Sequence, residues 1–578
     1  MIDSREVLSL RSWIAFALLG GLMLGASGCE TVGSNVLSTA ATATASTPTA
    51  SATPVAKPKL SFSGNVHGGQ QPVSGATVTL WAAGVSAASG VYGTGATQIA
   101  QTTTSTDGNG TFSFDDTNGV SPCTIGQYLY ITAQGGNPTG SYVNPAAAML
   151  AVIPTPCSST TGAQFVTVNE VTTVAGVWAL QQFMSITPGG ATPWQIGAPA
   201  TNVTGLANAF LISQSLANLA TGATATSTTS NTISNTINSV LYTTTVNPDY
   251  KKINTLASIL SACVNDGTGS TCSNMATDTN PTPANTALNP TDTIQMAYYL
   301  ATSPAGLTMN KGSYTTSPAY LCGTYNLPES PFATQLTCST SFPNDWAIMV
   351  TYKGYQGAST VGTVYVGSVA VDGSGNVWTA LTNTVSSAGS ITALNAAGQV
   401  VLAPVTSGTL STTAGWNPAT ASGAFTINDS RGDSNLAIDT LGNVWASSYY
   451  NTATSGEAPI VEITPTGLGT STPSSTATGY LAGISADAIA IDSSNNVYVS
   501  SQTATSRWYI NELPNSGTTS APIYTSTFYT GLGRQSNLYG QIIIDQTGYA
   551  DPLVGAANSS ICRENTTINA AAGSNNTT

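Results

Sequence analysis

Four aspartates recur in one setting. Val369-Ala370-Val371-Asp372-Gly373-Ser374-Gly375-Asn376-Val377-Trp378 returns as Leu436-Ala437-Ile438-Asp439-Thr440-Leu441-Gly442-Asn443-Val444-Trp445 and as Ile489-Ala490-Ile491-Asp492-Ser493-Ser494-Asn495-Asn496-Val497-Tyr498. A fourth copy, Ile542-Ile543-Ile544-Asp545-Gln546-Thr547-Gly548, breaks down at Tyr549-Ala550-Asp551. One carboxylate per copy could serve acid–base chemistry or hold a cation if the copies converged. An aspartate that opens a tight turn also accepts hydrogen bonds from the following amides, and a structural role is the expectation for all four. Few glutamates stand near the repeats. They are Glu457, Glu462, Glu512 and Glu564, and Glu462 and Glu512 hold matching repeat positions, which speaks for architecture more than for one asymmetric active site.

A second set suits binding better than chemistry. Segments between the repeat strands carry Trp416, Tyr449, Tyr450, Arg507, Trp508 and Arg534, with Arg431, Tyr529 and Tyr539 nearby. Aromatic rings beside polar groups can stack on sugars or clasp a peptide. The tripeptide Arg431-Gly432-Asp433 is too short to carry meaning. Histidine chemistry is almost excluded, because His67 is the single histidine and residues 68 to 578 have none. We expect no catalytic residue and no resident cofactor or metal. One exception is weighed: Asp107, Asp115 and Asp116 could gather a structural calcium ion, although turn capping is the simpler reading.

These residues need a scaffold, and the composition describes it. The chain has 578 residues, enough for two to four domains, with 41% apolar and only 6% charged residues. Its mean hydropathy is +0.10. Ser, Thr, Asn and Gly must therefore wet the surface. With 12 basic against 25 acidic residues the net charge is −13, so no stretch can neutralise a run of phosphates and nucleic acid is excluded as a partner.

The motif aspartates lie 67, 53 and 53 residues apart. Each copy reads as strand, tight turn and aromatic-ended strand, followed by a further strand such as Ile391–Leu394, Ile460–Ile463 or Tyr509–Leu513. Sheets of this kind bury both faces only by stacking around an axis. The repeats resemble the NHL-repeat type of β-propeller, assigned to residues 311–578, with Asp345-Trp346 as a candidate start of a further blade. Exported bacterial proteins of unassigned role carry a similar helical lead-in. The resemblance implies a binding or scaffold module. It also implies, as the alternative, a propeller hydrolase or lyase acting on a carbohydrate or lactone. The histidine of the comparable lyase has no counterpart here.

Before the propeller, residues 161–310 read as a small helical bundle. Val171, Val174 and Trp178 recur at helical spacing, as do Leu206, Phe210 and Leu216, and Ile253, Leu256, Leu260 and Cys263. Asn289 can cap a helix, with Pro290 in its first turn and Asp292 at its positive end. Lys251 and Lys252 read as a solvated face. Residues 59–160 read as short strands. Asp107-Gly108-Asn109-Gly110 is a hairpin signal that places Phe112 and Phe114 on one face, and His67 reads as an exposed loop residue. The run Pro72-Val73-Ser74-Gly75-Ala76-Thr77-Val78 followed by Thr-Asp-x-Asn-Gly-x-Phe resembles carboxypeptidase regulatory-like β-sandwiches, which implies an antiparallel spacer without catalysis. The fold class is thus multidomain and mainly β: sandwich, central helical bundle, C-terminal propeller.

Residues 1–28 read as a signal peptide. Arg5 and Arg11 precede the apolar run Trp13–Leu24, which at about 12 residues is too short for a bilayer-spanning helix needing roughly 20. Ala26-Ser27-Gly28-Cys29 resembles a bacterial lipobox, which implies lipidation of Cys29. With Glu30 next, it also implies sorting to the outer membrane, on its periplasmic or surface face. Residues 29–58 are Ser/Thr/Pro-rich and form a tether. The expected partners are a membrane through the lipid anchor and a carbohydrate or envelope protein. The other cysteines suggest an oxidising compartment and the sequential pairs Cys123 with Cys157, Cys263 with Cys272, and Cys322 with Cys338, leaving Cys562 over.

Overall fold

The computed structural model describes most of residues 61–552, with breaks at 115–122, 158–162, 306–316, 355–363, 411–423, 428–434, 448–459 and several shorter stretches; residues 1–60 and 553–578 lie outside it. The signal peptide, Cys29 and the tether therefore fall outside the described residues, as do Asp115, Asp116 and Cys562.

Alternation of apolar and small polar residues builds the first layer. Strand β1 (Ser61–Gly68) pairs antiparallel with β2 (Gln71–Pro72) and β6 (Thr111–Phe114), and parallel with β9 (Ala163–Val168). The facing sheet runs β5 (Thr97–Thr103), β3 (Thr77–Ala82), β7 (Leu129–Gln134), β8 (Ala148–Val152), all antiparallel. Phe62, Val66, Leu80, Phe112, Phe114, Ile131 and Val166 fill the space between the sheets, together with the disulfide Cys123–Cys157. The turn at Asp107 differs from the expected hairpin. Strands β5 and β6 lie in different sheets, so the turn is an arch that crosses the core. Phe112 and Phe114 do share one face, 5.7 Å apart, and burying both against β1 outweighs pairing with β5. Asp107 Oδ1 accepts from the Ser105 hydroxyl and the Asn109 amide, which hold this carboxyl below the usual range. His67 is half-buried at the end of β1 instead of exposed in a loop, and burial lowers its pKa.

Helices cover β8. Helix α1 (Glu170–Leu180) starts at a capping box in which Asn169 accepts from Thr172 N and the Thr172 hydroxyl accepts from Asn169 N. Every α1 residue but Ala179 is buried, because α1 lies between β8 and three other helices: α2 (Val203–Leu216), α3 (Tyr250–Val264) and α5 (Thr293–Thr302). A Cβ at Gly176 would meet the Val152 and Leu150 side chains at 2.8 and 2.9 Å, so glycine sets how closely the helix approaches the sheet. The remaining helices are α4 (Ser270–Thr279) and α6 (Pro318–Tyr325). Disulfides join Cys263 on α3 to Cys272 on α4, and Cys322 on α6 to Cys338. The three apolar stripes read from the sequence all enter this core, which Trp346 also joins. Among the described residues no helix is long and apolar enough to cross a membrane.

Four details differ from expectation. The cap of α5 is Asp292, which accepts from Gln295 N at 3.0 Å, whereas Asn289 precedes the helix and bonds Asn280. Residues 161–310 also hold strands: β9, β10 (Met184–Ile186) paired with β11 (Trp194–Pro199), and the hairpin β12 (Asn231–Ile237) with β13 (Val240–Pro248). That hairpin is rich in Asn, Ser and Thr, so its alternation carried little hydrophobic signal. Asp345-Trp346 starts no blade: the Trp346 carbonyl accepts from Trp178 Nε1 at 2.7 Å inside the helical core. Lys252 is no free surface cation, since Asp345 sits 3.0 Å from its ammonium. Two short edges complete this part, β4 (Gly84–Ser86) beside β11 and β14 (Val350–Lys353) beside β13.

The repeats form successive sheets, antiparallel throughout except where β19 (Ser407–Leu410) runs parallel to β24 (Ser474–Tyr480). The first is β15 (Val364–Val371), β16 (Val377–Asn383), β17 (Gly389–Leu394), β18 (Val400–Val405). In the second, β21 (Leu436–Ile438), β22 (Val444–Ser447), β23 (Ile460–Thr466) and β24 (Ser474–Tyr480) run in order, and β19 (Ser407–Leu410) and β20 (Ala424–Thr426) extend its outer edge. The third is β25 (Ser485–Ile491), β26 (Val497–Gln502), β27 (Trp508–Leu513), β28 (Tyr529–Gln535), and β29 (Ile542–Ile544) with β30 (Ala550–Pro552) follows as a pair. They stack face to face: Trp378, Ile391 and Leu402 against Val444, Val461 and Ile463, then Trp445, Ile460 and Tyr480 against Ile489, Val497 and Val499. Hairpin β12–β13 covers the other face of the first sheet through Ile237 and Tyr242 against Leu381, Leu394 and Val400. The chain is thus mainly β, with sandwich, helical and propeller-type parts; the described sheets do not close a ring.

Candidate functional site

The repeat turns are built alike, atom by atom. Asp372 Oδ1 accepts from Ser374 N and Asn376 N, both at 2.9 Å, and its Oδ2 accepts from Asn376 Nδ2 at 2.9 Å and Trp378 Nε1 at 3.0 Å. Asp439 repeats the set with Leu441 N, Asn443 N, Asn443 Nδ2 and Trp445 Nε1 at 2.9, 2.9, 2.9 and 3.2 Å. Asp492 repeats it with Ser494 N, Asn496 N, Asn496 Nδ2 and the Tyr498 hydroxyl. Position four of the turn has positive φ, at +80° in Gly375, +84° in Gly442 and +64° in Asn495. Glycine takes that conformation freely and asparagine tolerates it. The Asn495 side chain also bonds outside its own turn, where Oδ1 accepts from Thr440 N of the preceding turn and Nδ2 donates to the Thr519 carbonyl.

Each of these three carboxylates therefore accepts four hydrogen bonds from its own motif, which accounts for its place in the sequence. The buried Trp or Tyr that closes the motif is oriented by that carboxylate, and Trp378 and Trp445 pack on the next sheet. Asp545 lies outside the described residues.

The matching glutamates sit across the strand from these aromatics, Glu462 opposite Trp445 and Glu512 opposite Tyr498. Glu462 Oε2 accepts from the Tyr480 hydroxyl at 2.7 Å, and Glu512 Oε1 from the Tyr498 hydroxyl at 3.3 Å. Burial raises the pKa of both, followed in smaller measure by the charge of Asp439 on Glu462 and of Asp492 on Glu512; Glu512 reaches about 6. Burial also raises the Tyr480 phenol, so it stays a donor. Trp445, Tyr480 and Tyr524 close the seam between the second and third sheets, with ring centroids 4.9 to 6.0 Å apart. The first sheet has Ala393 where the others have glutamate. Glu457 and Glu564 lie outside the described residues.

Of the candidate ligand residues, Trp416, Tyr449, Tyr450 and Arg507 lie outside the described residues, as do Arg431 and Tyr539. Trp508 and Arg534 stand on neighbouring strands of the third sheet, where Trp508 pairs with Gln535 and Tyr509 with Arg534. Their backbones meet at one end of the β27–β28 ladder.

The burial of two carboxyls, Glu170 and the helix-terminal Asp292, is not legible in the sequence. Glu170 is fully buried and both its oxygens accept from Gly69 N, at 2.9 and 3.0 Å, which docks the β1–β2 turn onto the start of α1. Burial pushes its pKa up to about 8. Asp292 is likewise buried and pushed up to about 7. Only the Asn before Glu170 hinted at a helix start; the burial comes from a turn 101 residues away. No protein-family model matches this chain, and a search of curated proteins finds no similar one.

Proposed function

We propose that this is a lipid-anchored, extracytoplasmic binding or scaffold protein, whose NHL-like propeller presents loops to a carbohydrate or envelope protein without chemical turnover. One observation carries the reading: the carboxylates of Asp372, Asp439 and Asp492, the acidic set best placed for chemistry, each accept four hydrogen bonds from their own motifs. Three disulfides suit an oxidising compartment. The tether after Cys29 would hold the folded part off a membrane, and the sandwich would act as spacer.

The test uses the full chain, purified in detergent and incubated with envelope and environmental polysaccharides, with and without calcium. Retention without released products is the expected outcome. Product formation that falls on Glu462→Gln or Glu512→Gln would replace the binding reading with the propeller hydrolase or lyase. Lipidation is checked separately: a labelled fatty acid should be incorporated by the wild-type chain and lost in Cys29→Ser.

A further inference from the structure

Helices α4 and α6 both pack on α3 and leave a cleft of about 460 Å³ between them. Ala262 of α3 contributes to its floor. Thr271, Asn274 and Asp278 of α4 recur at i, i+3 and i+7 and form one wall, while Cys272, Met275 and Thr279 turn the opposite face of the same helix into the core. Tyr320 and Thr324 of α6, at i and i+4, form the other wall. Buried Tyr325 crosses the cleft and donates its hydroxyl to Asp278 Oδ2 at 2.6 Å, which orients that carboxylate; burial and the Asp278 bond raise the pKa of the phenol, so it remains protonated.

We propose that this cleft binds an uncharged pyranose unit of a saccharide. Four features lead there. The volume falls within the roughly 300 to 1,000 Å³ of ordinary small-ligand sites. The wall groups, the Asn274 amide, the hydroxyls of Thr271, Thr277 and Thr324 and the oriented Asp278 carboxylate, offer the alternating donors and acceptors that sugar hydroxyls need. Tyr320 is 37% exposed and supplies an aromatic face on which a sugar ring can stack. Among the described residues no Lys, Arg or His lines the cleft, and Asp278 does, so a sugar acid would meet a like charge there.

The walls are also held in advance. Cys272 of α4 is tied to Cys263 of α3, and Cys322, between Tyr320 and Thr324, is tied to Cys338. A site fixed before the ligand arrives has less conformational freedom to lose on binding, which is what a small polar ligand with little apolar area requires. Both staples lie before the repeats, and the cleft shares no lining residue with the repeat sheets.

The test titrates the full chain in detergent with methyl glucopyranoside, methyl galactopyranoside and methyl mannopyranoside, and with sodium glucuronate, by calorimetry and saturation-transfer NMR. At least one neutral glycoside should bind and glucuronate should not. Tyr320→Ala should weaken that glycoside at least tenfold, and Asn274→Ala several-fold. Both side chains are exposed, so circular dichroism of the variants should match the wild type. The proposal is overturned by glucuronate binding as well as the glycosides, by unchanged affinity in Tyr320→Ala, or by no glycoside signal in the wild-type chain. Polysaccharide retention that survives Tyr320→Ala belongs to the propeller, so this inference and the binding reading above can fail separately.

Discussion

Residues 61–338 and residues 364–544 reach order by different means. Among the described residues, the first stretch combines three sheets, six helices and a polar hairpin, no two alike, and carries three disulfides. The second has no cysteine and repeats one turn and one stacking contact, with an aromatic–glutamate cross-strand pair in two of its sheets. Irregular elements share few contacts with their neighbours in sequence, so cross-links that restrict the unfolded chain contribute heavily there. Stacked repeats gain from nearest-neighbour interfaces, and each latch adds the same increment. The contrast teaches where each half is vulnerable: the first through its staples and docked turns, the second through any single latch.

Denaturation followed separately by signals from each half can break or sharpen that contrast. The largest effect should come from pH. The Glu170 carboxyl is raised above its ordinary value of 4.5 to about 8, so the folded state holds the proton more tightly than the unfolded chain. Its contribution is present in full below pH 4.5 and is lost as pH rises through about 8, amounting to roughly 4 to 5 kcal/mol. Urea titrations across that window should show the decline in the sandwich–helix half, and Glu170→Gln should reduce it, leaving the share that buried Asp292 loses as pH rises through about 7.

In the repeat sheets, Asp439→Ala strands four donors around a buried turn and should cost about 3 to 4 kcal/mol. Asp372→Ala should cost less, because Asp372 is more exposed. Equal losses would mean the latches act alike whatever their burial. Next, replacing Cys123 and Cys157 together by serine opens a loop with a sequence separation of 34 and should lower the first transition by about 3 kcal/mol, leaving the propeller signal unmoved. A shift in both signals would show that the halves unfold as one. The smallest effect is expected at Asn495. Asn495→Ala loses the bond to Thr440 N and strains a +64° φ, at a cost of about 1 to 2 kcal/mol, and Asn495→Gly should recover part of it.

Much of the repeat stack was legible because its signals close within ten residues. Asp, a positive-φ Gly or Asn, a following Asn and an aromatic define one turn, and all the bonds that satisfy the Asp come from that same stretch. The cysteine pairs were legible for a similar reason, since each closes a short segment. The candidate site was less so. Its aromatic and basic residues could be named but not grouped, and only Trp508 and Arg534 are shown standing on neighbouring strands.

By itself the sequence determined the mainly β class, the repeat, the helical stripes and the paired cysteines, because periodicity and local hydrogen bonding are properties of neighbours along the chain. Tertiary structure alone decided that the Asp107 turn is an arch, that β9 joins β1 in parallel, that Trp346 fills a helical core, that Glu170 is buried beneath Gly69, and that α4 and α6 face each other across a cleft. Each of these depends on which distant surfaces meet. Burial and the electrostatics that follow from it are set by that meeting, and no window of the sequence contains both partners.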